Sequence, residues 1–246
     1  MDAQTGLVYG PVASRRFGRT LGVNLAPAGR KACNFDCAYC RSAWSDPPSR
    51  RDWPDPAGIV DAVTRALASR VEIDAITVAG NGEPTLHPAF ASIAEELFHA
   101  RQRLAPGARL ALQSNGSTLD RPEVVTAIGR FDVRCMKLDA GDTTTFRLMN
   151  GAPITLGRLI GNLRGVRRLT LQSTFVHDPQ GVVDNTTPAA VQAWLEAVRR
   201  IRPEVVDICT LDRTPARRPL LRVSESVLEG IAAQVRALAV PARVFA

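Results

Sequence analysis

Lysine is almost missing from this sequence. Of its 31 basic residues only Lys31 and Lys137 are lysines, and the rest are arginines. The net charge of +7 therefore reflects arginine usage as much as selection for an anionic partner. A basic surface is compatible with binding of nucleic acid or phosphate and demonstrates neither. Aromatic residues make up only 5% of the chain, so stacking platforms of the kind that hold single-stranded RNA are scarce.

Long apolar runs, low-complexity tracts and short repeats are also missing. No apolar run approaches the about 20 residues of a membrane helix, and the start at residues 1–6 lacks the basic-then-apolar pattern of a signal peptide. We therefore expect a cytoplasmic protein that does not contact a membrane. The length of 246 residues, 45% of them hydrophobic, suits one large α/β domain over 1–246, with residues 1–20 as a lead-in.

Cysteines are few but concentrated. Three of the five lie within the eight residues 33–40, and an odd, clustered set favours a metal site in a reducing compartment over a disulfide framework. Closely spaced thiolates can surround one metal centre, and three of them on a four-iron cluster leave one iron open to a substrate or cofactor. Two other interpretations are a zinc site that lacks its fourth ligand and a disulfide loop.

Strand-like runs alternate with helical patterns along the chain. The predicted strands are Leu21–Leu25, Ala75–Ala79, Arg109–Gln113, Val133–Leu138, Leu169–Val176 and Val205–Leu211. The predicted helices are Pro56–Ser69 with Asp55 as its N-cap, about Pro88–Leu104, one opened by a capping box at Asp120, Asp142–Asn150 with Thr155–Leu163, one capped by Thr187, and Ser224 to about Ala239. The last of these is expected to be buried through Val227, Leu228, Ile231 and Val235. Six such units predict a mostly parallel sheet, either doubly wound or curled toward a barrel.

Every predicted strand ends in polar residues. Chemistry lies at the C-terminal ends of strands in barrels and open parallel sheets, and buried polar groups need partners. We therefore expect a ligand-filled mouth there, although each polar residue could instead be a helix cap or turn residue. The strand ends carry, in order, the cysteine loop, Gly80-Asn81-Gly82-Glu83-Pro84, Gln113-Ser114-Asn115-Gly116, Lys137-Leu138-Asp139, Gln172-Ser173 and Asp212-Arg213.

Tyr39 completes the spacing C-x3-C-x-aromatic-C, which resembles the signature of the radical S-adenosylmethionine (SAM) superfamily. The resemblance implies that Cys33, Cys37 and Cys40 hold a [4Fe-4S] cluster whose fourth iron is chelated by SAM. One electron, from a donor such as flavodoxin or ferredoxin, then splits SAM to methionine and a 5′-deoxyadenosyl radical. The resemblance also implies a partial (βα)6 barrel of TIM type and an adenine that packs near Tyr39.

The segment Gly80–Pro84 is similar to the GGEP motif of that superfamily. Gly80 and Gly82 are expected to let the backbone approach the methionine end of SAM, and Glu83 to accept hydrogen bonds from its ammonium group. The resemblance assigns further SAM contacts to the polar strand ends at Ser114, Asn115, Lys137 and Asp139. To these we add Gln172. Lys137 could instead form a structural salt bridge with Asp139 or Glu83.

Longer stretches look like the branch of the superfamily that includes the tRNA wyosine-synthesis enzymes, among them YGPVASRRFGRTLGVNL, KACNFDCAYC and KLDAGD. Those synthases carry a second iron–sulfur cluster on additional N-terminal cysteines, whereas no cysteine precedes Cys33 here. Cys135 and Cys209 lie in predicted strands and are expected to be buried small hydrophobes. We expect a short relative with a different substrate, and retain as alternatives a tRNA base modifier and a non-catalytic iron–sulfur or zinc protein.

Other candidate residues carry less information. Arginines before the first strand and after the sixth are expected to bracket an open seam where a phosphate-bearing substrate or RNA docks: Arg15, Arg16, Arg19, Arg213, Arg217 and Arg218. Trp44 and Trp53 flank a proline- and arginine-rich loop at 46–51. This loop could cover the cluster, stack on a base or serve only for packing. The three histidines, His87, His99 and His177, are dispersed and form no triad, so the sequence assigns no catalytic residue.

Overall fold

A computed structural model describes residues 6–40, 52–69, 71–212, 215 and 219–246 of the chain. Several predicted features lie outside these residues: the start at 1–5, Trp44 with the loop 46–51, and Arg213, Arg217 and Arg218. Within the described part of the chain, no helix combines the length and the apolar character needed to cross a bilayer.

The elements alternate as the sequence predicts. The strands are β1 Val8–Ser14, β2 Gly18–Val23, β3 Ala75–Val78, β4 Arg109–Ser114, β5 Val133–Lys137, β6 Leu169–Thr174, β7 Val176–His177, β8 Val205–Cys209, β9 Leu221–Arg222 and β10 Ala242–Phe245. The helices are α1 Pro56–Ala68, α2 Phe90–Leu104, α3 Pro122–Ile128, α4 Thr143–Asn150, α5 Leu156–Arg164, α6 Pro188–Ile201 and α7 Glu225–Arg236. A 3₁₀ turn at Pro84–Leu86 follows β3.

Eight strands form one sheet in the order β1-β2-β3-β4-β5-β6-β8-β10, while β7 and β9 pair separately. β1 pairs with β2 antiparallel. The pairs β2–β3, β3–β4, β6–β8 and β8–β10 are parallel. The predicted α/β class, with the mostly parallel sheet of a partial TIM-type barrel, is confirmed. The described residues divide into two compact units, and a single domain over 1–246 stays a prediction.

Unit 1 comprises the described residues within Met1–Asn34, Ser45–Ser114 and Thr118–Arg134. Helix α1 begins as predicted, because the Asp55 carboxylate accepts a hydrogen bond from Gly58 N at 3.1 Å and Pro56 occupies the first turn. α1 packs on α2. All four residues of β3 are buried.

Unit 2 comprises the described residues within Phe35–Trp44, Asn115–Ser117 and Cys135–Ala246. Its helices α4, α5 and α6 are capped by Asp142, Thr155 and Thr187, each of which accepts a backbone N–H of the first turn. Of these, the sequence predicted Thr187 as a cap and placed the other two as the first residues of their helices. Gly151 ends α4 with φ of 49°, a left-handed conformation that glycine adopts readily.

Two sequence predictions about helices are wrong. The capping box at Asp120 does not form, because α3 begins at Pro122 after Arg121, whose side chain makes no cap bond. Proline prefers the first helical position, so the helix starts one residue later than an Asp120 cap requires. In α7 the predicted core residue Val227 is 46% exposed, since the buried stripe runs through Leu228, Ile231, Ala232 and Val235.

The sequence analysis missed strands at both edges of the large sheet. β1 contains Gly10-Pro11 and a break in register between Tyr9 and Val12, features that edge strands tolerate. The predicted first strand, Leu21–Leu25, is the second strand and begins earlier, at Gly18. The predicted strand Leu169–Val176 divides into β6 and β7. The other predicted ends differ by one to three residues, mostly within the usual fraying of element ends.

Candidate functional site

The glycines of the segment Gly80–Pro84 stand where backbones crowd. A Cβ on Gly82 would lie 1.9 Å from the Ala32 carbonyl oxygen, and one on Gly80, whose φ is +150°, would lie 2.3 Å from Asn24 Oδ1. Ala32 N donates to the Asn81 carbonyl at 3.1 Å, and Glu83 N donates to the Ala32 carbonyl at 2.8 Å. The loop after β3 is thereby fastened to the residue that precedes Cys33.

Glu83 is 3% exposed and lies at the end of this loop. Its Oε1 accepts three hydrogen bonds, from Thr85 N at 3.1 Å, Thr85 Oγ1 at 2.6 Å and Ser114 Oγ at 2.7 Å. Thr118 Oγ1 in turn donates to Thr85 Oγ1 at 2.5 Å. Unit 1 therefore joins two residues that the sequence predicts, Glu83 and Ser114, and adds two threonines that it missed.

A second group forms in unit 2, around Asp139. Tyr39 Oη donates to Asp139 Oδ2 at 2.5 Å, and the backbone N–H of Thr174 donates to Asp139 Oδ1 at 2.8 Å. Lys137 Nζ donates to Tyr39 Oη, and lies 3.8 Å from Asp139 Oδ2 and 4.7 Å from the centre of the Tyr39 ring. Tyr39, Lys137 and Asp139, three residues predicted to contact SAM, thus lie together. The predicted salt bridge between Lys137 and Asp139 is present.

Burial and charge shift the pKa values in this group. Burial raises the pKa of the Tyr39 phenol well above its usual value, and the Asp139 carboxylate adds to the effect. Burial lowers the pKa of Lys137, but the Asp139 carboxylate and the neighbouring cysteines outweigh it, so the pKa is raised. Lys137 is therefore a fixed cation at neutral pH.

Cys37 is held on both sides by the end of α4. The backbone N–H groups of Asp36 and Ala38 donate to the carbonyls of Asn150 and Met149 at 2.9 and 2.8 Å. Asn150 Nδ2 lies 3.4 Å from Cys37 Sγ and donates to Asp139 Oδ2 at 2.7 Å. Burial raises the pKa of the Cys37 thiol, so binding a metal there releases a proton.

Asn150 is the functional candidate that sequence reasoning missed. The only signal was an asparagine placed just before the Gly151 that ends a helix. Its Oδ1 is buried and accepts no hydrogen bond from any of the described residues. A buried unsatisfied oxygen costs about 1–3 kcal/mol, which a bound ligand that donates a hydrogen bond would offset.

The other predicted cofactor contacts lie in unit 2 and make different bonds. Asn115 is 4% exposed, and its Oδ1 accepts from Ser117 N at 2.9 Å, as in a turn. Gln172, on β6, accepts a hydrogen bond from Cys135 Sγ at 3.4 Å through its Oε1.

None of the five cysteines, all of which are described, forms a disulfide, so the disulfide-loop interpretation is wrong. Cys33 belongs to unit 1, and Cys37 and Cys40 belong to unit 2. Cys135 and Cys209 are buried in β5 and β8, as predicted. No three His, Cys, Asp or Glu side chains among the described residues are grouped to hold a single metal ion. The fit to an iron–sulfur cluster therefore rests on donor chemistry, since three cysteines close together in the sequence supply the thiolate ligands that such clusters take.

The histidines have structural partners. His87 is 2% exposed, and its two ring nitrogens bond to the Pro54 carbonyl at 3.0 Å and to Ala89 N at 3.1 Å. His99 is exposed, and its Nε2 lies 3.1 Å from Glu95 Oε1. His177 Nδ1 lies 2.6 Å from Asp184 Oδ2. The described bonds of these histidines form no triad.

Among the arginines predicted to bracket the seam, Arg19 forms an ion pair with Glu72 at 3.2 Å.

Comparison with known proteins identifies the family. Residues 31–211 match the profile of the radical SAM superfamily. A UPF0026 protein of Helicobacter pylori is 37% identical over 231 residues, which cover 90% of this chain and 71% of that protein.

Two solved structures share the fold. A radical SAM methyltransferase from Sphaerobacter thermophilus aligns with a TM-score of 0.65 at 20% identity, over 92% of this chain and 65% of its own. The structure of TYW1 with a bound lysine–pyruvate adduct aligns with a TM-score of 0.62 at 16% identity, over 89% of this chain and 73% of its own. At these identities the likeness shows the fold alone.

Members of the superfamily are enzymes that use a [4Fe-4S] cluster and SAM. The family profile covers the cysteine stretch, the loop after β3 and the group around Asp139. The resemblance drawn from the cysteine spacing is confirmed, and this chain belongs to the radical SAM superfamily.

Proposed function

We propose that this protein is an enzyme in which Cys33, Cys37 and Cys40 hold a [4Fe-4S] cluster and SAM is cleaved reductively. When bound, the cluster and SAM supply one-electron cleavage that yields a 5′-deoxyadenosyl radical, which abstracts hydrogen from the substrate. Family membership and the three cysteines in the family spacing support this proposal.

The observation that carries the proposal is the direct bonding between the cysteine loop and a strand end in unit 2. Tyr39, from the loop, donates to Asp139, and Cys37 is bonded to an asparagine that also donates to Asp139. A residue of the loop and the polar residues after β5 thus share one buried network. A non-catalytic electron carrier has no use for such a network, whereas an enzyme must bind SAM beside its cluster.

We assign the SAM-binding roles by charge and position. Glu83 would accept hydrogen bonds from the ammonium group, with Gly80 and Gly82 shaping its loop. Lys137 would supply positive charge for the SAM carboxylate, and Asp139 would accept a hydrogen bond from the ribose. Ser114 positions Glu83, and the remaining proposed contacts are Tyr39 at the adenine, Asn115 and Gln172.

The reaction needs an electron, and we propose that a low-potential carrier such as flavodoxin or ferredoxin supplies it. A reducing, cytoplasmic compartment suits this chemistry because it keeps the thiols available for iron. The excess of arginine is compatible with a substrate that carries phosphate.

The test is anaerobic reconstitution with iron and sulfide, followed by dithionite and SAM. We expect about four irons per chain and slow formation of 5′-deoxyadenosine without added substrate, measured by chromatography. Stoichiometric zinc that survives reconstitution, or a loaded protein that leaves SAM intact, would refute the proposal.

A further inference from the structure

The side chain of Asn150 contacts both a carboxylate and a thiol. It is the last residue of α4 and is 1% exposed. Its single side-chain amide group donates to Asp139 Oδ2 at 2.7 Å and contacts Cys37 Sγ at 3.4 Å, within the range of a hydrogen bond to sulfur. Both contacts lie inside unit 2.

The direction of the amide follows from its surroundings. If the amide were flipped, Oδ1 would face the Asp139 carboxylate oxygen at 2.7 Å, which would place two acceptors in contact without a proton between them. The Asp139 side chain is fully buried and already accepts bonds from Tyr39 Oη and Thr174 N, so its carboxylate is fixed. Nδ2 must therefore point toward Asp139, and the same nitrogen faces the sulfur of Cys37.

The distance between Asn150 and Cys37 is held by rigid structure. The carbonyls of the last turn of α4 accept the N–H groups on either side of Cys37, at 2.9 and 2.8 Å. A Cβ on Gly151 would lie 3.2 Å from Asp36, so the helix end and the loop already touch. Phe35 packs edge-on against Phe146 of α4, with ring centres 6.0 Å apart. The amide is thus pre-organised toward the thiol, with little side-chain entropy left to lose.

We propose that Asn150 is a positioning residue that holds the Cys37 sulfur through its amide N–H and raises the reduction potential of the cluster. The inference rests on the proposed function, in which Cys37 is a cluster ligand. A donor on a ligand sulfur stabilises the reduced cluster more than the oxidised one, because the reduced cluster carries one more negative charge.

The test compares reconstituted wild type with Asn150→Ala and Asn150→Leu, both of which lack the donor. The midpoint potential is measured by redox titration followed by electron paramagnetic resonance. At the potential that half-reduces wild type, we expect the ratio of reduced to oxidised cluster to fall about tenfold, equivalent to 59 mV for one electron. Asn150→Gln retains an amide and should recover part of the shift.

The matched control is Asn185→Ala. Asn185 is also buried and donates to the carbonyls of Asp139 and Thr174 at 2.9 Å, with no described contact to sulfur. We expect it to lower the melting temperature and to leave the potential unchanged. A wild-type potential in either loaded Asn150 variant, or an equal shift in Asn185→Ala, would overturn the inference.

Two outcomes separate this inference from the proposed function. Wild type that takes up no cluster would refute the proposed function, whereas a cluster with an unchanged potential in the variants refutes only the role of Asn150. If neither variant folds, wild type labelled with ¹⁵N at its asparagine side chains decides. A nitrogen coupling to the reduced cluster in a pulsed spectrum supports the bond, and its absence overturns it.

Discussion

Ser114 Oγ lies 2.7 Å from Glu83 Oε1, although the two residues are 31 positions apart in the chain. Ser114 is the last residue of β4, and Glu83 follows the neighbouring parallel strand β3. Carboxyl ends of adjacent parallel strands meet at one edge of the sheet, which brings the two side chains together. Both are buried, so Glu83 is held in one orientation before a ligand arrives.

We expect Glu83→Ala to weaken SAM binding by about ten- to a hundredfold, since a hydrogen bond to a charged group contributes roughly 1.5–3 kcal/mol. Equilibrium dialysis of the loaded protein with labelled SAM measures this. Ser114→Ala should have a smaller effect, because it removes only a bond that orients the carboxylate.

Glu83 also caps the turn at Pro84–Leu86, so a control for lost structure is needed. Thr85→Val removes one bond to the same carboxylate oxygen and leaves the charge in place. It should bind SAM nearly as wild type does. Normal binding by Glu83→Ala would show that the motif has been assigned wrongly.

A second prediction concerns the cysteines. Cys37→Ala should abolish the four-iron cluster, because a site with two thiolates holds it poorly. Cys135→Ala and Cys209→Ala remove buried thiols within strands and should keep the full iron content, measured by iron analysis and visible absorption. Loss of iron in Cys135→Ala with an unchanged melting curve would contradict the assignment.

Local patterns were enough to predict most of the fold. The predicted caps at Asp55 and Thr187 were correct because each bond forms within three residues of the cap. The edge strand β1 was missed although it pairs locally with β2, with Ser14 opposite Gly18, because its Gly10-Pro11 resembles a turn.

The candidate site was predicted only in part for the same reason. Cys37 and Tyr39 stand out because their spacing lies within one short stretch. Asn150 lies 113 positions after Cys37, and a single asparagine at the end of a helix usually reads as part of the cap. Thr85 and Thr118 were missed likewise, since their bond joins two loops that only the folded sheet brings together.

A third prediction uses two glycines in different surroundings. Gly82→Ala should destabilise the protein by about 1–3 kcal/mol or more, because the new methyl group would overlap the Ala32 carbonyl. Gly161→Ala places its methyl group in open space on α5 and should stabilise by about 0.5–1 kcal/mol. Chemical denaturation of both variants measures the difference. Equal stabilities would show that the backbone approach at Gly82 is looser than the structure describes.

A fourth prediction concerns the loss of stability at acidic pH. Burial lowers the pKa of His87 from its ordinary value of 6.5, and its Nδ1 accepts a hydrogen bond from Ala89 N that protonation would break. The native state therefore binds fewer protons than the unfolded state, so this contribution to stability is complete above pH 6.5 and declines as the pH falls below it.

Urea denaturation at several pH values tests the role of His87. We expect His87→Gln to lower the free energy of unfolding at pH 7. Below pH 6.5 the free energy of unfolding should fall less steeply in this variant than in wild type. His99→Gln, which removes an exposed histidine from α2, is the control. An unchanged pH slope in His87→Gln would contradict the prediction.

The last prediction concerns pyruvate. The structure of TYW1 holds a lysine–pyruvate adduct, and a Schiff base of that kind needs a neutral, accessible amine. Only Lys31 and Lys137 could serve here. Lys31 is 8% exposed, and Lys137 is bonded to Tyr39, lies 3.8 Å from the Asp139 carboxylate and has a raised pKa, which keeps its amine protonated. We therefore expect no adduct after incubation with pyruvate and borohydride, measured as the mass of the intact chain. A stoichiometric adduct that Lys137→Arg or Lys31→Arg removes would instead favour a tRNA-modifying activity, because it would show that one of these two amines is open to the substrate.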